Sequence, residues 1–176
     1  AKWLKKAVAQ GNIEARTYLA GLYLEGKGVS RYSGEALRLF RKSALQDDKF
    51  AQYGLALLYY EGIEAEKDLK KAAYWFRKSA EKGCVDAECD LGLAYFHGDG
   101  VKKDYGEALK WLRKAAEKEF ARAEHQLGIM YHEGTGVEQD YSEAIKWFRK
   151  AAEQGYSRSQ LELGLMHTAG EGMELD

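Results

Sequence analysis

The chain contains no proline. No X-Pro bond can therefore slow its folding, and no helix can be stopped by a proline ring. It has two cysteines, Cys84 and Cys89, too few for a disulfide framework. Its four histidines make no metal signature: His125 and His132 share a helical face, but no third ligand has a metal-site spacing. No apolar run approaches the ~18 residues that would span a bilayer. The opening AKWLKKAVAQG lacks the apolar core and cleavage pattern of a signal peptide. Neither sign of charge prevails: 27 Lys and Arg face 28 Asp and Glu, for a net charge of −1. That sum argues neither for nor against a nucleic-acid partner, because distribution matters more than the total.

What is present is a folded composition, 45 % hydrophobic and 31 % charged over 176 residues, long enough for one sizeable core. The punctuation falls to 19 glycines. Gly26, Gly62, Gly98, Gly134 and Gly170 recur every 36 residues. Tyr23, Tyr59, Tyr95 and Tyr131 precede them, with His167 in the fifth place, and Leu19, Leu55, Leu91, Leu127 and Leu163 keep the same step. Trp3, Leu39, Trp75, Trp111 and Trp147 form another row, whose period favours core packing over a ligand-stacking surface. The chain divides without insertion into a partial unit, 1–32, and four full ones, 33–68, 69–104, 105–140 and 141–176.

Each unit reads as two helices. In 105–140, Ala108, Leu109, Leu112, Ala115 and Ala116 have helical spacing and define helix A. Ala123, Leu127, Gly128 and Tyr131 define helix B, which ends where Gly134 suits a left-handed cap. Asp104 with Glu107, and Asp140 with Glu143, read as reciprocal caps for the next helix A. HGDGVKKDYGEALKW (97–111) could pass for a phosphate or calcium loop. A phosphate loop would follow a strand, and no strand pattern exists. A calcium loop would keep its oxygen ligands, yet Lys27, Ile63, Asp99, Thr135 and Glu171 vary between the glycines. The five glycines are therefore structural turn residues. Such helix pairs cannot bury their apolar faces alone and must stack on their neighbours.

The unit DYSEAIKWFRKAAEQGYSRSQLELGLMHTAGEG resembles the Sel-one-like repeat (SLR), a relative of the tetratricopeptide repeat. The shared elements are A-x-x-W-[FL]-R-K-A-A, A-x-x-x-L-G-x-x-Y and G-x-G-V-x-x-D-Y. The resemblance covers the whole chain, 1–176, as one SLR segment. It implies an all-α fold: a right-handed α-α superhelix, or solenoid, of stacked antiparallel helix pairs in 36-residue repeats, here nine or ten helices with the first truncated. Ser30, Glu66, Lys102, Glu138 and Glu174 stand where family loops often carry proline. Glu64 replaces the second glycine of the loop at 62–68, so that junction is expected to turn differently. Cysteine-rich members staple each unit with a disulfide, and this chain lacks the paired cysteines. Ala1 aligns inside helix A, and Asp176 falls where another helix A would be capped. The expectation is a segment cut from a longer array, with ends open to end-to-end self-association.

No convergent catalytic grouping occurs, so no enzymatic activity, metal or cofactor is expected. Charge is segregated instead. The helix-A segments carry 18 Lys and Arg against 6 Asp and Glu, whereas the rest carries 9 against 22. Two rows are wholly basic: Lys5, Arg41, Arg77, Arg113, Arg149 and Lys6, Lys42, Lys78, Lys114, Lys150. These could be solvated faces paired with Glu81, Glu117 and Glu153 four residues on. The resemblance implies the other reading, in which helix A lines a concave groove. Arg41, Tyr74, Arg77, Lys110, Arg113, Lys146 and Arg149 would then bind an acidic peptide or protein, with Tyr74 as aromatic anchor. The expected role is a protein–protein interaction scaffold or adaptor. An alternative is recognition of an anionic carbohydrate or cell-wall polymer by the same basic groove. A partner on the acidic helix-B back would instead be sensed by Glu88, Glu124 and Glu162. No nucleic-acid partner and no membrane insertion by this segment are expected, and a soluble segment of a bacterial cytoplasm or periplasm is favoured.

Refolding should show no proline-limited phase of tens of seconds. Stopped-flow fluorescence at low protein concentration tests this, and such a phase would demand another cause.

Overall fold

A computed structural model describes residues 2–172; Ala1, Glu174 and Asp176, invoked above for the loop pattern and the chain ends, lie outside the described residues. Ten α-helices and no strand occur among those described: α1 (Lys2–Ala9), α2 (Ile13–Glu25), α3 (Ser33–Ala44), α4 (Lys49–Glu61), α5 (Leu69–Glu81), α6 (Val85–His97), α7 (Tyr105–Ala116), α8 (Ala121–Glu133), α9 (Tyr141–Glu153) and α10 (Ser157–Ala169). Odd-numbered helices are the A helices and even-numbered ones the B helices. The chain forms two compact units. One runs to Ala87 and takes in Asp99–Lys102; the other comprises Glu88–Gly98 and the chain from Lys103 onward.

Consecutive helices run antiparallel within each unit. In the first, Gln52 at the start of α4 donates to the Ala44 carbonyl at the end of α3 (3.3 Å), and Ser79 late in α5 donates to the Lys49 carbonyl (2.7 Å). In the second, Gln160 of α10 donates to the Ala152 carbonyl of α9 (3.2 Å). The packing places small residues under large ones. A Cβ on Gly128 of α8 would meet the Phe148 ring of α9 at 2.5 Å, and one on Gly92 of α6 would meet Leu112 of α7 at 2.8 Å. Phe40, Phe76, Leu112 and Phe148, 36 residues apart, are all buried.

The core row of helix A is thus one residue later than the tryptophans. Trp111 is buried, but Trp75 and Trp147 are half-buried and Trp3 is 76 % exposed. The expectation of a tryptophan core holds only at Trp111. One residue turns a helix by ~100°, so the neighbouring row takes the interior and the indoles sit at its edge.

The turns obey the glycine frame. Gly26, Gly62, Gly134 and Gly170 are left-handed C-caps, and Gly98 has φ 86°. The second glycine is needed for space as well as for φ. At Gly136 (φ 75°) a Cβ would lie 2.4 Å from Cβ of Tyr105, at the start of α7. Glu64 does not turn differently after all: it adopts φ 58°, in the same region as Gly28, Gly100, Gly136 and Gly172. The matching residue at the start of α3 is Ser33, whose hydroxyl donates to the Glu64 carboxylate. The left-handed backbone of a β-carbon residue stores strain of ~1–2 kcal/mol there.

Half of each expected reciprocal cap forms. Asp104 accepts from the Glu107 amide (3.0 Å) and Asp140 from the Glu143 amide (2.9 Å). The glutamates do not return the bond, because the amides they would cap are already used. Asp104 N–H donates to the Tyr95 carbonyl and Asp140 N–H to Tyr131, both at 3.0 Å. The same bond links Asp68 to Tyr59 and Tyr32 to Tyr23. Glu107 instead turns forward to Lys110 and the Trp111 indole N–H.

Arg16, Gln52, Glu88 and Glu124 occupy one helix-B position, and all four are buried. Each is answered by a polar group near the end of a helix A. The Arg16 guanidinium donates to Gln46, and Gln52 donates to Asp47 (3.2 Å). Glu88 accepts from Lys118 at 2.8 and 2.7 Å, with Lys114 at 3.4 Å. Glu124 accepts from Gln154 at 2.7 Å. Glu88 and Glu124 are therefore packing residues and unavailable to a partner on the helix-B back. Burial raises the Glu124 carboxyl above its ordinary value, Lys150 opposes the rise, and Glu119 and Glu153 add to it.

Two outcomes follow from this packing. Gly128→Leu should cost roughly 1–3 kcal/mol by overpacking, read as a lower urea midpoint. Glu124→Gln should stabilise the fold at neutral pH. A carboxyl whose folded value is raised binds its proton more tightly when folded, so its contribution falls as pH rises through and above the ordinary value of 4.5. The advantage of Glu124→Gln should therefore vanish below that value, measured as the difference in melting temperature against pH.

Candidate partner-binding face

The cations of helix A remain at the surface, and each row is engaged in its own way. Arg38 binds Glu35 through two bonds, at 2.8 and 2.7 Å; Lys110 pairs with Glu107 at 3.0 Å and Lys146 with Glu143 at 2.9 Å. The Glu35 carboxyl is held below its ordinary range, first by the bond from Arg38. The Lys146 ammonium is raised, first by its bond to Glu143. In α5 the acid is missing: Lys71 stands at its place and pairs with Asp68 at 2.9 Å. The cation is missing there too, since the matching residue is Tyr74. Tyr74 is 51 % exposed, set edge-on to Trp75 with centroids 5.1 Å apart.

The arginine row points elsewhere. Arg41 donates to the Tyr59 hydroxyl (3.0 Å) and Arg113 to the Tyr131 hydroxyl (2.7 Å). Arg113 thus takes a partner on helix B rather than the glutamate four residues on. Arg77 is half-buried, whereas Arg149 is exposed and has His167 at the tyrosine position. Lysines also cover aromatic faces: Lys6 over Trp3 at 4.8 Å, Lys114 over Trp111 at 4.9 Å and Lys150 over Trp147 at 4.5 Å. The first unit brings Arg41, Tyr74 and Arg77 onto its A helices, and the second brings Lys110, Arg113, Lys146 and Arg149.

Two surface features are not evident from the sequence alone. An open cleft of about 810 Å³ in the first unit is lined in part by the exposed rings of Tyr18 and Phe50. A smaller groove of about 380 Å³ lies along α3, lined by Gly34, Leu37, Arg38, Arg41, Lys42 and Leu45. The one signal of the groove is a break in a row: Leu45 stands where Glu81, Glu117 and Glu153 stand in the other units.

Two of the four histidines are engaged within the fold. His125 is buried between Phe148 and Tyr156, with Nδ1 2.9 Å from the Ser159 hydroxyl, and burial followed by the Arg158 charge lowers its pKa. His132 Nε2 lies 2.7 Å from the Glu171 carboxylate. Both cysteines are buried, and neither is in a disulfide. No helix among the described residues is long and apolar enough to cross a membrane.

No curated protein matches the chain significantly. Among solved structures, c5321, a protective antigen of uropathogenic Escherichia coli with an SLR fold, is 36 % identical with a TM-score of 0.93. That match covers 99 % of this chain and 38 % of the antigen, so the chain spans well under half of that relative. A Sel1 repeat protein from Oxalobacter formigenes is 36 % identical with a TM-score of 0.88, over 94 % of this chain and 67 % of that one. Cysteine rich protein B of Helicobacter pylori is 26 % identical with a TM-score of 0.57, over 69 % and 92 %. The family described as Sel1 repeat matches 1–12, 13–48, 49–84, 85–120, 121–156 and 157–176. Its unit has the same 36-residue length but begins at helix B. By period, helix pairing and this unbroken match, the chain belongs to the Sel1 repeat family.

Proposed function

We propose that the chain is a protein-interaction scaffold whose helix-A faces receive acidic partners. Sel1 repeat proteins are in general protein-interaction scaffolds. The observation that carries the specific reading is the charge segregation, which leaves Arg41, Lys42, Lys110, Lys146 and Arg149 exposed on helices whose core residues hardly vary. Their local acids neutralise them only in part, since exposed ion pairs are weak and readily exchanged for a partner's carboxylate. Tyr74 and Arg77 supply an aromatic and a half-buried guanidinium, the residue types that dominate binding energy at interfaces. The anionic-carbohydrate alternative has less support. Sugar stacking needs free ring faces, and a lysine ammonium group lies over each of the Trp3, Trp111 and Trp147 rings.

Lys146→Glu with Arg149→Glu is the variant of choice, because both side chains are exposed and their loss should leave the circular dichroism unchanged. The probes are fluorescein-labelled acidic peptides and labelled heparin, followed by anisotropy. The reading expects the peptides to bind the native chain and the reversal to weaken them at least tenfold, about 1.4 kcal/mol. Affinity should also fall as salt shortens the ~8–10 Å screening length. Heparin binding in preference to peptides would favour the carbohydrate alternative. Peptide binding indifferent to the reversal would end the helix-A reading on this face.

A further inference from the structure

The α3 face departs from its sisters in a way the repeat frame does not require. Each full helix A carries a stripe at every third or fourth residue. In α5, α7 and α9 it closes on Glu81, Glu117 and Glu153; in α3 it closes on Leu45, which is 72 % exposed. A solitary exposed leucine is ordinary. This one lies beside Leu37 and Gly34 in the groove of about 380 Å³, with Arg38, Arg41 and Lys42 as its charged lining. The exchange removes the carboxylate that would compete with an acidic ligand and supplies an apolar surface in its place. Glu35 holds Arg38, but the stripe itself contains no acid beside Arg41 or Lys42.

From this replacement we infer that the α3 groove is a docking pocket for an extended acidic peptide segment bearing one large apolar side chain. The apolar side chain packs over Gly34, Leu37 and Leu45, and flanking carboxylates meet Arg41 and Lys42. An apolar centre within a charged rim is the usual anatomy of a small binding hot spot. From Gly34 to Leu45 the stripe runs about 16 Å, the length of about five extended residues. Charge complementarity selects the acidic ligand, and the single apolar patch selects one anchor. The inference rests on the proposal that helix-A faces receive acidic partners, and narrows it to one helix of the first unit.

The probe is an acetylated, amidated pentapeptide, Glu-Asp-Leu-Glu-Asp, titrated into methyl-labelled protein and followed by NMR. Binding tighter than about 1 mM is expected, with shifts at the Leu37 and Leu45 methyls. Replacing the peptide's leucine by alanine should weaken binding at least tenfold. Leu45→Glu, which installs the residue found in the sister helices, should do the same without loss of fold; its outcome is read at the Leu37 methyls. Silent Leu37 and Leu45 methyls at millimolar peptide would overturn the pocket, as would binding indifferent to Leu45→Glu. If the α9 reversal weakens the longer acidic peptides while Leu45→Glu leaves the pentapeptide unchanged, the wider proposal survives and the pocket falls. If Leu45→Glu abolishes pentapeptide binding while the longer peptides ignore the α9 reversal, the pocket stands and the reading of the α9 face falls.

Discussion

Everything in this fold hangs on how closely a helix B lets the next helix A approach. Gly128 beneath Phe148 and Gly92 beneath Leu112 are contacts with no room for a methyl group. A close-packed interior transmits such a limit to its surroundings. Once those backbones are fixed, the second loop glycine must pass the start of helix A without a side chain, as Gly136 passes Tyr105. The amide bonds from Asp104 to Tyr95 and from Asp140 to Tyr131 then tie each turn to the preceding helix B. The helix-A residues facing away from these contacts carry the basic rows.

The helices and their spacing were legible because glycine, tyrosine and leucine recur at one period and the apolar residues between them keep helical spacing. Depth was less legible. Recurrence marks a position as structural, but it does not say which of two adjacent rows points inward. Hence the tryptophans read as interior, although the interior belongs to Phe40, Phe76, Leu112 and Phe148. Glu88 and Glu124 mislead for a related reason: a carboxylate reads as surface unless its partner is known. Lys118 and Gln154, 30 residues away, are invisible to any local pattern. Glu64 escapes because a residue other than glycine can take the left-handed turn at a cost in strain.

The candidate face was legible as charge and illegible as geometry. The basic rows could be read directly, but not that Arg41 and Arg113 would lean onto tyrosine hydroxyls, nor that Lys110 and Lys146 would be shared with the capping glutamates. Those contacts leave two kinds of cation on one helix. Some help to hold helix A against helix B, and others are retained only by weak exposed pairs.

The buried polar position of helix B carries a further implication for folding. A chain of near-identical units can mispair by one whole repeat, a characteristic failure of repeat proteins. Hydrophobic contacts alone would scarcely notice, since each unit offers its neighbours the same small and large residues. The polar partners would notice. A slip of one repeat would bring Arg16 against Lys82 in place of Gln46, setting two cations side by side. Glu88 would meet Gln154 and lose Lys118. Glu88 is fully buried, so the slip would leave its carboxylate without a charged partner. Arg16 with Gln46, Glu88 with Lys118 and Glu124 with Gln154 thus act as addresses, telling otherwise interchangeable repeats in which order to assemble.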